Sequence, residues 1–294
     1  MLPMFQLQRI IDRALEEDLG TGDLSTAIIP DTLEGQAILY SKAAGVVAGI
    51  HIVDQVFQRV DSRIKAKALM SDGERLEPGA IVMELSGPLV SILQAERTAL
   101  NFIQHLSGIA TATRDAVDQI NDLPVRISDT RKTLAGLRVL QKYAVRIGGG
   151  YNHRFGLYDA VLLKDNHLTA MGGLTTTVEK ARERIGHMVK IQVECETIAQ
   201  VQEALNCGVD LIMLDNMSTE QMRQAVSLIN HRALVEASGG IKIGRLREVA
   251  ETGVDIISIG ALTHSVKALD FSLDVGEIKL ATLQRMQSRD SQDT

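Results

Sequence analysis

Cysteine is nearly absent. Cys195 and Cys207 are the only two in 294 residues, and their spacing matches neither a metal-ligand set nor a redox motif. Two thiols in so long a chain fit a reducing compartment, and both read as core thiols. Long apolar runs are lacking too: no stretch approaches the length of a membrane span. The N-terminal MLPMFQLQRIIDRALEEDLG reads as an amphipathic helix carrying acids rather than as a basic and then apolar signal peptide. A cytoplasmic protein without a membrane partner is expected. Positive charge is also in deficit, and a formal net charge of −6 argues against a nucleic-acid binder.

What is there is enough chain, 45% of it apolar, for one large α/β domain or two smaller ones. The charge is unevenly spread. Between Arg126 and His167, eight Lys or Arg stand against three Asp, a local +5 that leaves −11 for the rest. A basic island in an acidic chain points to a focused anionic ligand. Arg138, Lys142 and Arg146 have helical spacing and read as a solvated face, whereas Arg131, Lys132, Arg154 and Lys164 lie at strand ends and in a glycine loop.

The first hundred or so residues read as a small α+β unit. A helix at about 7–18 precedes short alternating runs with Gly and Pro punctuation that suit an antiparallel sheet. A long helical stretch from Val90 leads onward and contains Gly108, a candidate bend or boundary. Six β-rich runs then recur, VRISDT, DAVLLKDN, VKIQVEC, DLIMLDN, ALVEAS and DIISIGA, separated by helical segments. Near-continuous apolar strands alternating with helices are the pattern of a parallel sheet with crossover helices. Each run ends in a chemically loaded residue, and a barrel brings all such ends to one mouth, so an incomplete barrel is favoured over an open sheet.

Such a mouth gathers Arg131, Lys132, Arg154 and Lys164, with His153 nearby, as donors to carboxylate or phosphate oxygens. The glycines of ASGGI and SIGAL expose backbone N–H groups suited to a phosphate. Glu194 and Asp215 repel phosphate, and fit sugar hydroxyls or a Mg²⁺ bridging to phosphate oxygens. Two polyanions, one a phosphorylated sugar, suggest glycosyl or phosphoribosyl transfer. For Asp215 a helix-capping role competes, although Ser218 or Thr219 with Gln221 supplies a capping sequence nearby; Asp165 and His167 are read as organisers of the turn after their strand. The block GGGYNHRFGLYDAVLLKDNH, 148–167, leaves its cations without evident local partners.

These blocks, with EEDLGTGDLST, KAAGVVAGI, ERTALNFIQHLSGIAT, DTRKT, VECET, IMLDNM, EASGGI and SIGALTHS, run along nearly the whole chain in one order. The sequence resembles the quinolinate phosphoribosyltransferases, decarboxylating nicotinate-nucleotide pyrophosphorylases of NAD synthesis. The resemblance implies an N-terminal α/β sandwich, 1–108, rejoined by 268–294, and an incomplete six- to seven-stranded TIM-like α/β barrel, 109–267. It implies that Thr130, Arg131, His153, Arg154 and Lys164 receive quinolinate, whose carboxylates are the missing partners, and that Arg97 reaches into the site of a partner subunit in a homodimer or higher oligomer. Lys132, Glu194 and Asp215 are the implied catalytic groups around phosphoribosyl pyrophosphate, with Mg²⁺ associated with Glu194 and Asp215 through that substrate. Ser238, Gly239, Gly240, Ile259, Gly260 and Ala261 are the implied 5′-phosphate cradle. Ala135 stands where the family usually has proline, a change at a helix entry with no expected effect on chemistry. Related accessory proteins of molybdenum transport and a ligand-binding barrel without turnover are the alternatives. The tail from Gln284 reads as polar and disordered.

Overall fold

The computed structural model describes residues 3–276. In chain order the elements are α1 (Met4–Leu19), β1 (Glu34–Ser41), β2 (Gly45–Val46), α2 (Ile50–Val60), β3 (Lys65–Ala68), β4 (Arg75–Leu76), β5 (Ile81–Pro88) and α3 (Leu89–Asp118). There follow β6 (Arg126–Ser128), α4 (Arg138–Ile147), β7 (Val161–Leu163), α5 (Asp165–Met171), α6 (Leu174–Arg184), β8 (Ile191–Cys195), α7 (Ile198–Asn206) and β9 (Leu211–Asp215). Last come α8 (Thr219–Ile229), β10 (Leu234–Ser238), α9 (Leu246–Ala250), β11 (Ile256–Ser258), α10 (Ala261–His264) and β12 (Phe271–Val275).

The chain divides into two units. Among the described residues, one comprises 3–112, 135–148 and 266–276, and the other 113–134 and 149–265. In the first, β12, β1, β5 and β3 form an antiparallel sheet in that order, with Leu39 opposite Leu273 and Met83. Leu7, Ile11 and Leu15 recur at helical spacing on α1 and are buried in the same core as Ile52, Val56, Ile92, Ile103 and Leu106. The return of the chain at Phe271–Val275 supplies the edge strand, whereas the rest of the expected return segment, 277–294, lies outside the described residues.

Within the range expected for the barrel, the stretch 135–148 groups with the first unit because Leu140, Ala144 and Val145 of α4 are buried in that unit's core. Two further expectations need correction. On the same helix Lys142 is 0% exposed and engaged by neighbouring groups, so the expected solvated basic face does not exist at that position. Gly108 marks no bend, since α3 continues through it to Asp118. A Cβ at Gly108 would collide with the Lys267 carbonyl oxygen, so the glycine serves the close passage of another segment of the first unit.

The second unit is a six-stranded parallel sheet in the order β6-β11-β10-β9-β8-β7, with every expected run present as a strand. Ile127, Leu163, Val193, Ile212, Leu214, Val235, Ala237 and Ile257 are buried at alternate strand positions. The intervening positions, from Ser128 and Leu162 at the two edge strands to Met213 and Glu236 in the middle, line shared concave space. The sheet therefore curls around its polar face as an incomplete barrel, extended beyond β6 by a parallel bridge between Ser128 and Tyr151.

Candidate active site

A cavity of about 670 Å³ opens at the carboxyl ends of these strands. Parallel pairing sets what it contains. Glu194 lies opposite Met213 on the neighbouring strand, and Asp215 opposite Ser238, so the ends of β8, β9 and β10 present their polar groups side by side. Thr130, Arg131, Lys132, His153, Arg154, Lys164, Glu194, Asp215, Ser238, Gly239 and Gly240 all line this one cavity. Ile259, Gly260 and Ala261 do not line it. Gly260 instead gives room to the Lys132 stem, whose Cδ lies 3.0 Å from where a Cβ would stand, while the Thr263 hydroxyl donates to the Lys132 carbonyl at 2.7 Å. Arg97 is exposed on α3 in the first unit and is not a lining residue.

The cations crowd one another. Burial pulls Arg154 below the ordinary guanidinium value and the neighbouring Arg131 charge adds to that, with only partial relief from Asp159. Like charges held this close call for an anion. Each cation of the 148–167 block nevertheless has a protein partner, contrary to the sequence expectation. Lys164 Nζ donates to Glu194 Oε2 at 2.5 Å, Arg154 Nη1 to the Ala160 carbonyl at 2.8 Å, and the His153 ring meets Gln192 Oε1 at 3.1 Å. These partners come from a later strand or from the loop itself, which local sequence does not reveal.

Loop 151–160 is held by two aspartates. Buried Asp129 accepts the His153 N–H at 2.9 Å and the Asn152 amide at 2.6 Å. Asp159 accepts the N–H groups of Phe155 and Gly156 at 2.6 and 2.9 Å; burial pushes its carboxyl up, but these bonds and the Arg154 charge outweigh that and hold it below the ordinary carboxylate value. The competing roles of Asp215 and His167 resolve. Ser218 caps α8 with Gln221, which leaves Asp215 free of capping, and His167 Nδ1 accepts the Lys164 N–H at 3.0 Å as part of the turn into α5.

Three polar residues with no role in the sequence reading stand here. Asn216 has φ 54° and donates to Asp215 Oδ2 at 2.6 Å. A Cβ on Gly239, itself at φ 89°, would come within 2.6 Å of the Asn216 nitrogen, so that loop can pass only as glycine. Glu236, 1% exposed, accepts from Gln192 Nε2 at 2.7 Å. Burial pushes the Glu236 carboxyl up, yet hydrogen bonding, chiefly from His153, leaves it below the ordinary value. Gln192 and Glu236 were legible in principle: each lies two residues before a predicted site residue, Glu194 and Ser238, on the same face of its strand.

Family models place this arrangement. Residues 109–274 match the quinolinate phosphoribosyl transferase C-terminal domain, and 23–107 match its N-terminal domain. The chain belongs to the quinolinate phosphoribosyltransferase family. It is 46% identical over 270 residues to a probable nicotinate-nucleotide pyrophosphorylase (carboxylating) of Bacillus subtilis, spanning 92% of this chain and 93% of that one. It is 41% identical to quinolinate phosphoribosyltransferase (decarboxylating) 1 of Nicotiana glauca, spanning 93% and 83%. The crystal structure of NadC from Streptococcus pyogenes superposes with a TM-score of 0.90 at 42% identity, covering 94% of this chain and 99% of that one. The two-part family fold is thus present along nearly the whole chain. No helix among the described residues is long and apolar enough to cross a membrane.

Proposed function

We infer that this chain transfers a phosphoribosyl group from phosphoribosyl pyrophosphate to quinolinate, releasing pyrophosphate and CO2 and leaving nicotinate mononucleotide. The observation that carries the residue assignment is the single cavity in which Arg131, Lys132, Arg154 and Lys164 face the same space as Glu194 and Asp215. The cations receive two carboxylates, and the acids receive a sugar. A pocket for a monoacid needs fewer cations, and a barrel that only binds ligand has no use for Lys132, Glu194 and Asp215 together.

The pyridine nitrogen is already nucleophilic, so the protein orients and stabilises charge instead of supplying a strong base. Arg131, Arg154 and Lys164, with Thr130, hold the dicarboxylate. Lys164 pairs with Glu194, which sets the dicarboxylate-binding cation beside the acid that, with Asp215, meets the ribose hydroxyls. As the bond from C1 of the ribose to pyrophosphate breaks and nitrogen attacks that carbon, Lys132 meets the charge growing on the leaving group. The SGG turn of Ser238, Gly239 and Gly240 forms the 5′-phosphate cradle, while Gly260 gives room to the Lys132 stem. The bond between C2 and its carboxylate then breaks, CO2 departs, the electron pair stays on C2 beside the ring cation, and a solvent proton replaces the lost group.

Glu194 and Asp215, two carboxylates lining the same cavity, are the residues that would hold a Mg²⁺ brought with phosphoribosyl pyrophosphate, and the ion would supply neutralisation of leaving-group charge. Arg97, exposed and outside the cavity, completes the quinolinate site of a second copy in a homodimer.

Nicotinate mononucleotide formation, followed chromatographically with quinolinate or nicotinate as acceptor, tests this reading. Product from quinolinate alone, formed far more slowly by Asp215→Asn, is expected; product from nicotinate, or an unaffected variant, contradicts it.

A further inference from the structure

The buried polar column behind the cations has no part in the chemistry described so far. The His153 ring uses both nitrogens on the protein itself: Nδ1 accepts the N–H of Arg154 at 2.7 Å, and Nε2 lies 3.1 Å from Gln192 Oε1 and 3.5 Å from Glu236 Oε2. Gln192 ties the set together by donating from Nε2 to the same Glu236 oxygen at 2.7 Å. This pattern assigns the ring proton to Nε2. Gln192 is 4% exposed and Glu236 1%, so both are interior groups that bulk water does not screen.

The column also has a telling position. A second cavity of about 250 Å³, lined by Arg126, Tyr151 and Lys190 near the amino ends of the strands, shares His153, Arg154 and Glu236 with the first, so these three residues stand between the two cavities. Burying a carboxylate is costly, and apolar residues of similar volume would fill the space of Glu236, 1% exposed, at less cost if filling the interior were its whole task. What the column does fix is one ring and, through Nδ1, the backbone from which the Arg154 side chain springs.

We propose that Glu236 and Gln192 are positioning residues for the acid substrate: they lock His153, which by its bond to the Arg154 N–H fixes where that guanidinium stands in the cation cluster. His153 then acts as a strut for Arg154, not as a donor to the substrate. This rests on the quinolinate reading above. A buried carboxylate suits the task because it gives a strong acceptor at the base of the column while the crowded cations above it repel one another.

The test compares wild type with Glu236→Gln, His153→Ala and the double variant, reading KM for each substrate by pyrophosphate release. Losing a charge-assisted bond in the column should raise the quinolinate KM of Glu236→Gln roughly tenfold or more, with the phosphoribosyl pyrophosphate KM within about twofold of wild type. The double variant should be no worse than His153→Ala alone, because both substitutions break one device. Multiplied effects, equal shifts in both KM values, or an unchanged Glu236→Gln overturn the proposal. Should Glu236→Gln fail to fold, the paired apolar replacement Gln192→Met with Glu236→Met removes both polar partners at once and carries the same expectation. Wild type inactive with quinolinate would instead sink the functional reading itself.

Discussion

In the proposed reaction, Asp215 is the residue on which the chemistry leans most. It has no capping duty, it stands opposite Ser238, and Asn216 fixes one of its oxygens. Removing its charge in Asp215→Asn should lower kcat by on the order of a hundredfold with little change in thermal midpoint, because the loss falls on a charged transition state. Cys195 gives an independent check on the local environment. Burial, with the charges of Glu194 and Glu203 adding to it, pushes its thiol up to about 12, whereas Cys207 is only partly buried. Thiol titration of the native protein with a disulfide reagent near neutral pH should therefore report Cys207 and spare Cys195 until the chain is denatured. Early reaction of both would mean that the β8 strand is looser than described. At this scale the sequence showed the end-of-strand cations and acids directly. Gln192, Glu236 and Asn216 were read as parts of strands and turns, although alternation along β8 and β10 put the first two on the site face.

Among the elements, α3 offers the sharpest contest of magnitudes. Alanine in place of a helix-interior glycine gains about 1 kcal/mol of helix propensity, but overpacking costs about 1–3 kcal/mol. At Gly108 the obstacle is the Lys267 backbone carbonyl, which cannot rotate away, so the clash wins and Gly108→Ala should lower the thermal midpoint measurably. Stabilisation by that substitution would contradict the close passage of the Lys267 segment. Loop 151–160 is the second such element. Asp159 is held below the ordinary carboxylate value, so its contribution to stability is present above that range and is lost as pH falls through its lowered value. Asp159→Asn should accordingly weaken the acid limb of the stability profile while raising the quinolinate KM at neutral pH, a pairing that thermal melts and kinetics check together. The six barrel strands were legible because burial on both faces makes nearly continuous apolar runs. The placement of α4 was not, since its stripe of Leu140, Ala144 and Val145 fits any core, and only the tertiary fold decides which one it joins.

For the whole molecule, the order β6-β11-β10-β9-β8-β7 is what converts residues scattered from 130 to 240 into one pocket. The parallel pattern was readable from alternating strands and helices, and the convergence of strand ends argued for a curled sheet. The partners of Lys164 and His153 were out of reach because they lie on β8 and β10, far along the chain. The shared-site proposal also belongs to this scale. Mixing inactive Arg97→Ala with inactive Asp215→Asn should restore about a quarter of wild-type activity, the share of sites that random pairing leaves with both halves intact. No recovery under conditions that exchange subunits would confine Arg97 to its own chain. The central claim is nevertheless the reaction, and release of labelled CO2 from quinolinate carrying the label in its 2-carboxylate tests it most directly. Release that needs both phosphoribosyl pyrophosphate and Mg²⁺, in equal amount to pyrophosphate, is the predicted result; pyrophosphate released without CO2, or no release from the folded protein, would contradict it.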